Sequence, residues 1–253
     1  MFESAASKDD YEVIVCDSSD DSSMDIYKKW VEQEHTLKVI RSKKKLDPGP
    51  ARNLAAQQAS GDYIFCLDVD DKLCSKDTLK KVIDGLDGKD MYACSYMSRK
   101  DGREVKLEPK TFLQVASCPV APWAKIYKRE LYVPFPRYTP EDVLPHFLLV
   151  DHCRSFGYFD FPVVDYDNRP ENKGAWSRTF DWLLAHPSNL MQLAASNELE
   201  KLGFREEFVA GVMHNLADMW QFRNKLKNEE VKKAYMHRLS REYQNFMCGV
   251  YVH

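Results

Sequence analysis

Short apolar runs alternate with polar, glycine- or proline-bearing breaks along the first hundred residues. Tyr11-Glu-Val-Ile-Val-Cys16 is rich in β-branched residues and ends in the polar cluster Asp17 to Ser23. That pattern predicts a buried strand feeding a turn and a helix N-cap. Ile26, Trp30 and Val31 fall at helical spacing between Met24 and Glu34, and Leu37 to Ile40 reads as a second strand. Pro48-Gly-Pro50 is a loop, Ala51 to Ser60 an alanine-rich helix, and Gly61-Asp62 breaks it. Tyr63 to Leu67 is apolar throughout, which predicts a strand buried on both faces; it runs into Asp68-Val-Asp-Asp71. Further on, the spacing predicts a helix over 77–86, a strand over 91–97 and a helix over 143–150.

Strand, helix, strand, helix, strand in so short a stretch implies parallel pairing and an α/β fold. Open parallel sheets bind ligands at the carboxyl ends of their strands, and both acidic clusters, Asp17 to Asp21 and Asp68 to Asp71, fall at such ends. From Ser177 onward the pattern turns helical, with Phe208, Val212, Leu216, Met219 and Trp220 on one apolar stripe. The composition shift near Gly174 divides the chain into residues 1–175, the α/β domain, and residues 176–253, a helical C-terminal region.

At 253 residues the chain is long enough for one large domain with an appendage. A formal net charge of -3 gives no global field toward nucleic acid or membrane. No apolar stretch approaches the roughly 20 residues of a membrane span, and Met1 to Asp10 has no apolar core of a signal peptide. The 7 cysteines are scattered without a CxxC pair. They read as free thiols in a reducing compartment, hence a cytoplasmic protein, and not as a zinc site.

Asp68, Asp70 and Asp71 are the first candidates for chemistry. A departing nucleoside diphosphate needs its charge offset, and the hard cations that do this, Mg²⁺ or Mn²⁺, take carboxylate oxygens. In extended chain alternate residues point the same way, so Asp68 and Asp70 would share one side, one able to reach a ribose or the metal, the other to ligate the metal. The plain structural alternative is an exposed acidic turn capping a helix that begins near Ser75.

Three segments together resemble the donor half of inverting glycosyltransferases of family two: Val13-Ile-Val-Cys-Asp17, then Gly49-Pro-Ala-Arg-Asn53, then Gly61 to Asp71 with its Asp-Val-Asp-Asp end. The Gly-to-Ala spacing in the second is one residue shorter than the commonest family form. A second block, Pro122-Trp-Ala-Lys-Ile-Tyr-Lys-Arg-Glu-Leu131 followed by Pro140-Glu-Asp142, resembles the acceptor half. The resemblance covers about residues 11–175 and implies a GT-A fold, a Rossmann-like, mostly parallel sheet. It implies an inverting, metal-dependent transfer of a sugar from a nucleoside diphosphate sugar, UDP-linked, to an acceptor hydroxyl.

By the same resemblance Asp17 would hydrogen-bond the uracil, Arg52 would sit near the base or phosphates, Asp68 would face the ribose or metal, and Asp70 would hold the metal. Asp142 would be the general base, since an acceptor hydroxyl is a poor nucleophile until its proton is taken; Glu141 would support it. Helix capping is the structural alternative for Asp17 and Asp142. Trp123 could stack on an acceptor sugar or simply fill the core. Arg169 and Lys173 lie where the family has a basic loop over the diphosphate. His146, His152 and His186 are conceivable third metal ligands without a supporting motif. The acceptor is not legible: a glycan, a lipid-linked sugar, a protein or a nucleobase all remain. A nucleotidyltransferase and a non-catalytic scaffold are the competing classes.

One departure from the family pattern stands out. Relatives carry an apolar strand ahead of the one that is Tyr11 to Cys16 here, and it normally lies mid-sheet. The expectation is that the sheet closes up, with Tyr11 to Cys16 and Tyr63 to Leu67 as neighbours. The alternatives are that Cys248 to His253, read as strand-like, or a rearranged Phe2 to Asp10 fills the place.

Overall fold

The structure is a computed structural model that describes residues 5–33, 36–135, 141–169, 217 and 220–251. Strand β1 (Val13–Asp17), helix α1 (Ser23–Gln33) and strand β2 (Leu37–Arg41) follow the pattern closely, whereas helix α2 (Pro48–Gln57) takes in Pro48-Gly-Pro50, read as a loop, and ends short of Ser60. Pro48 opens α2, where its missing N–H costs nothing. Strand β3 (Tyr63–Phe65) precedes the acidic turn, and β4 (Lys72–Leu73) and α3 (Thr78–Asp84) follow it. Then come β5 (Met91–Ser98), β6 (Arg103–Val105), α4 (Phe112–Ala116), β7 (Lys125–Lys128), α5 (Val143–His152), β8 (Phe156–Tyr166) and the long helix α6 (Glu229–Tyr251).

Two sheets result. β1 and β2 form a parallel pair by themselves. The other sheet runs β3-β7-β5-β8-β4, with β6 beside β5. Its pairings are more mixed than strand–helix alternation predicts: β5 and β8 are parallel, while β3–β7, β5–β7, β5–β6 and β4–β8 are antiparallel. The expected closure of β1 against β3 does not occur, since no ladder joins them. Glu12 spans the distance instead, its Oε1 accepting Ser60 N–H at 2.6 Å, Gly61 N–H at 2.9 Å and the Ser60 hydroxyl at 2.9 Å. Among the described residues, neither proposed substitute takes the position. The backbone from Cys248 to Tyr251 is helical, because the last turns of α6 carry through it. Residues 5–10 form turns beside α3, with Ala5 N–H donating to Lys76 O at 3.0 Å; Phe2 lies outside the described residues.

The strand buried on both faces is β5, not β3. Met91, Tyr92, Ala93, Cys94 and Ser95 are all buried, whereas in β3 only Ile64 is. Met91 joins a core with Val115, Phe147, Val150, Val231 and Tyr235, so α4, α5 and α6 pack on one face of the large sheet. Tyr92 and Cys94 point the other way, into a cluster with Trp123, Ile126, Phe159 and Val164. α6 is capped by Asn228, whose Oδ1 accepts the N–H of Glu230 and Val231, and Asp151 of α5 accepts the N–H of Lys227 and Asn228. Of the predicted C-terminal stripe, Trp220 is half exposed; Phe208, Val212, Leu216, Met219 and the boundary near Gly174 lie outside the described residues.

Candidate active site

The residues after β3 do not continue as extended chain. Asp71 N–H donates back to Asp68 O at 3.1 Å, so residues 68–71 form a turn with Val69 at its tip, 96% exposed. Asp68 and Asp70 are therefore not alternate residues of a pleated strand but members of one turn. The turn is held from below. Asp71 is buried and its Oδ1 accepts Asp167 N–H at 2.8 Å. Arg99 donates to Asp70 O, to Asp165 and to Asp167, tying the turn to the chain leaving β8. Nothing in the sequence singles out Arg99, because its role depends on the parallel β5–β8 register.

Charge is crowded here. Burial pushes the Asp71 carboxyl up to about 7 against the pull of the Asp167 N–H, and Asp70 and Asp68 push it the same way. Its Oδ2 is buried without a hydrogen-bond partner among the described residues. Hard carboxylate oxygens in excess of their cations are the donor chemistry of Mg²⁺ or Mn²⁺. Among the described residues no three His, Cys, Asp or Glu side chains converge as a complete ligand set, so a bound ion would also need oxygens from the diphosphate.

Arg52 links this turn to the acceptor-side block. It projects from α2 with its side chain 16% exposed; its Nη2 donates to Asp68 Oδ1 at 2.7 Å and its Nη1 to Glu141 Oε1 at 2.5 Å. Its guanidinium carbon lies 5.2 Å from the centroid of the Phe135 ring, within cation–π range. Asn53, the next residue, explains the rest of that motif. It holds Phe135 N–H and O at 2.8 Å each and receives the Tyr132 hydroxyl at 2.7 Å, fixing α2 to the segment before Glu141. Glu141 is buried, which raises its carboxyl above the ordinary range in spite of Arg52; Gly49 N–H also donates to it.

Asp142 stands at the N-terminus of α5, but its side chain makes no cap hydrogen bond, so the carboxylate is not committed to capping. Behind it a cavity of about 20 Å³, room for about one water, is lined in part by Asp142, Lys125 and His146. Lys125 is buried and donates to three carbonyls, Pro119, Val120 and Ala121, at 3.2, 2.9 and 2.7 Å. Burial lowers its ammonium to about 8, with Asp142 opposing. His146 bonds Ala116 O through Nε2, and burial with Lys125 nearby keeps it neutral at ordinary pH. That places His146 in the core and not at the acidic turn.

The other predicted residues divide as follows. Asp17 is buried; its Oδ1 accepts Ser19 N–H and its Oδ2 accepts Arg41, both at 2.8 Å. Although burial works against it, Ser19 and Arg41 hold the carboxyl below the usual range. Among the described residues no hydrogen bond or ion pair joins Asp17 to the Arg52 cluster. It does not cap α1 either; Asp21 accepts Ser23 N–H there. Trp123 is 3% exposed and packed between Tyr166 and Tyr96, with ring centroids 4.5 and 4.9 Å away. It fills the core and shows no open face to a sugar. Arg169 pairs twice with Asp167, at 2.8 and 2.7 Å. Lys173 and His186 lie outside the described residues, and His152 sits in the last turn of α5.

The chain matches the family described as "Glycosyl transferase family 2" over residues 1–161. It belongs to that family, and it is a glycosyltransferase. No match is found among curated proteins. Among solved structures it resembles S. aureus TarS 1-349, with a TM-score of 0.61 and 19% identity over 98% of this chain and 82% of that one. The same protein in complex with UDP-GlcNAc gives a TM-score of 0.63 and 22% identity over 96% and 75% of the two chains. The mannosyltransferase PcManGT from Pyrobaculum calidifontis, in complex with GDP-Man and Mn²⁺, gives 0.54 and 17% over 99% and 73%. At these identities the likeness is one of fold, and that fold is GT-A. The nucleotidyltransferase alternative falls with the family match.

Proposed function

We propose that this chain transfers a sugar from a UDP-linked donor to an acceptor hydroxyl, with inversion and with the help of Mg²⁺ or Mn²⁺. The observation that carries this is Arg52, which brings Asp68 of the donor block and Glu141 of the acceptor block onto one guanidinium. Asp70 and Asp142, one or two residues along, come with them.

In this reading Asp70, with Asp68, holds the ion, which supplies charge to offset the departing diphosphate. Asp17 receives the uracil N–H on one of the lone pairs that Ser19 and Arg41 leave open. Asp142 faces the acceptor. The acceptor oxygen forms a bond to the anomeric carbon as the bond from that carbon to the phosphate oxygen breaks; the hydroxyl proton passes to the Asp142 carboxylate and UDP departs. Attack opposite the leaving group inverts the anomeric centre in one displacement. Arg169 releases Asp167 to meet the phosphates, and Lys173 adds a second cation there. Residues 1–175 are the transferase domain, and residues 176–253 the helical region that ends in α6. The free thiols favour a reducing, cytoplasmic setting, and among the described residues no helix is long and apolar enough to cross a membrane.

Isothermal titration of the folded chain with UDP and Mn²⁺ tests the donor side. Binding that requires the ion is expected; binding indifferent to the ion, or none at all, would count against the reading. Hydrolysis of a UDP-sugar, measured without any acceptor, separates turnover from a purely binding role.

A further inference from the structure

Among the described residues, Arg52 is where the acidic turn and the acceptor-side pair of carboxylates meet, and its environment constrains what it can do. One cation faces two carboxylates, Asp68 at 2.7 Å and Glu141 at 2.5 Å, and its side chain is 16% exposed. Asn53 on the same helix turn pins α2 to residues 132–135, so the guanidinium is delivered to one place and does not sweep. Glu141 is itself half-fixed by Gly49 N–H, and it is the covalent neighbour of Asp142.

We propose that Arg52 is a positioning residue that couples donor occupancy to the acceptor side: loading the acidic turn weakens the Arg52–Asp68 pair and strengthens Arg52–Glu141, which sets Glu141 and the adjoining Asp142 for the acceptor. This rests on the assignment of the acidic turn as the donor-metal site. The physical reason is competition for one carboxylate. A divalent cation drawing on Asp68 repels a guanidinium on the same oxygens, and the planar fork keeps its second arm on Glu141. Linkage is reciprocal, so a change at Glu141 must alter binding at Asp68.

The test uses Mn²⁺-dependent UDP affinity, by titration, in four proteins: the parent, Glu141→Gln, Arg52→Lys and the double variant. Lysine keeps the charge but offers one point donor instead of a fork, so it cannot hold both carboxylates. In the parent, removing the Glu141 charge lets Arg52 close fully on Asp68, and affinity should fall about fivefold or more, the usual lower scale of a coupling between sites. In the Arg52→Lys background the same change should have less than half that effect on a logarithmic scale. Equal effects in both backgrounds would overturn the proposal, because they would mean a field acting through space; no effect in the parent would overturn it too. Should Arg52→Lys fail to fold, Arg52→Gln with and without Glu141→Gln reads the same coupling, because glutamine removes the shared cation. A Glu141→Gln effect as large there as in the parent would refute it. Asp70→Asn in the same titration separates the two claims. If it leaves Mn²⁺-dependent UDP binding unchanged, the site assignment fails; if it abolishes binding while the cycle is additive, only the coupling fails.

Discussion

Two strand ends carry acidic residues in this molecule, and they are built in opposite ways. At the end of β1, Asp17 is sunk among its own partners: Ser19 and Arg41 take up both oxygens and hold the carboxyl ionised. At the end of β3, the turn from Asp68 to Asp71 carries three carboxylates below a tip that points into solvent, with Asp68 paired to Arg52 and one oxygen of the buried Asp71 without a hydrogen-bond partner among the described residues. The first arrangement is satisfied by the protein. In the second, burial and the neighbouring Asp70 and Asp68 raise the Asp71 carboxyl to about 7. Acidic sequence after an apolar strand is thus two different things: a carboxylate held by its own neighbours at Asp17, and a turn that crowds carboxylates at Asp68–Asp71.

The sharpest way to break that contrast is to neutralise one carboxylate at each end. Asp70→Asn should abolish metal-dependent UDP binding while the chain stays folded, because too few charged oxygens remain for a hard ion. Titration with UDP and Mn²⁺ beside a thermal melt decides it, and parent-like binding would remove Asp70 from the metal. Asp142→Asn comes next. Donor binding should be intact and transfer slower by about 10²-fold or more, the scale of losing a general base; turnover equal to the parent would exclude Asp142 from that role. Asp17→Asn is the mildest of the three. It should weaken UDP binding about tenfold, the worth of one hydrogen bond to a charged group, yet leave the need for Mn²⁺ unchanged. Loss of the metal requirement in Asp17→Asn would erase the distinction between the two ends.

How far these sites were legible in the sequence follows the same divide. The strands β1, β2 and β5 and the helices α1, α2, α3 and α5 are visible in the sequence, although the apolar positions that mark α1, Ile26, Trp30 and Val31, are exposed in the structure. The motif blocks also point to the residues that Arg52 and Asn53 gather. What spacing alone cannot show is pairing. β3 looks fully buried by composition, but among the described residues it pairs with β7 alone, and it is mostly half-buried. Trp123 sits in a motif suggestive of acceptor binding, yet its ring is enclosed by Tyr96 and Tyr166, which come from β5 and the end of β8. Arg99 and Asp167 brace the acidic turn only because β5 and β8 run parallel. The Cys248–Tyr251 stretch has strand-forming residues, but the preceding helix, capped at Asn228 and packed through Val231, Tyr235 and Leu239, carries it into helix.

The smallest expected effect concerns how the β1–β2 pair is attached. With no ladder between β1 and β3, Glu12 is the polar tie, receiving Ser60 and Gly61 N–H on one oxygen and Lys38 at 2.7 Å on the other. Burial alone would raise its carboxyl; Lys38 and the N–H groups of Ser60 and Gly61 outweigh it and bring the carboxyl down to about 2 from an ordinary 4.5. A carboxyl depressed in the folded state binds fewer protons there than in the unfolded chain, so its stabilisation is complete above about pH 4.5 and is lost as pH falls toward 2. Glu12→Gln should therefore lower stability at neutral pH by about 1–2 kcal/mol, the worth of a charge-assisted hydrogen bond that lies partly in solvent. The difference from the parent should shrink between pH 4.5 and pH 2. Urea melts of both proteins across that range give the answer, and a difference that stays constant with pH would show that the tie is not the ionised Glu12. If the tie matters as drawn, the variant should also expose β1 to faster hydrogen exchange while β5, buried on both faces, keeps its protection.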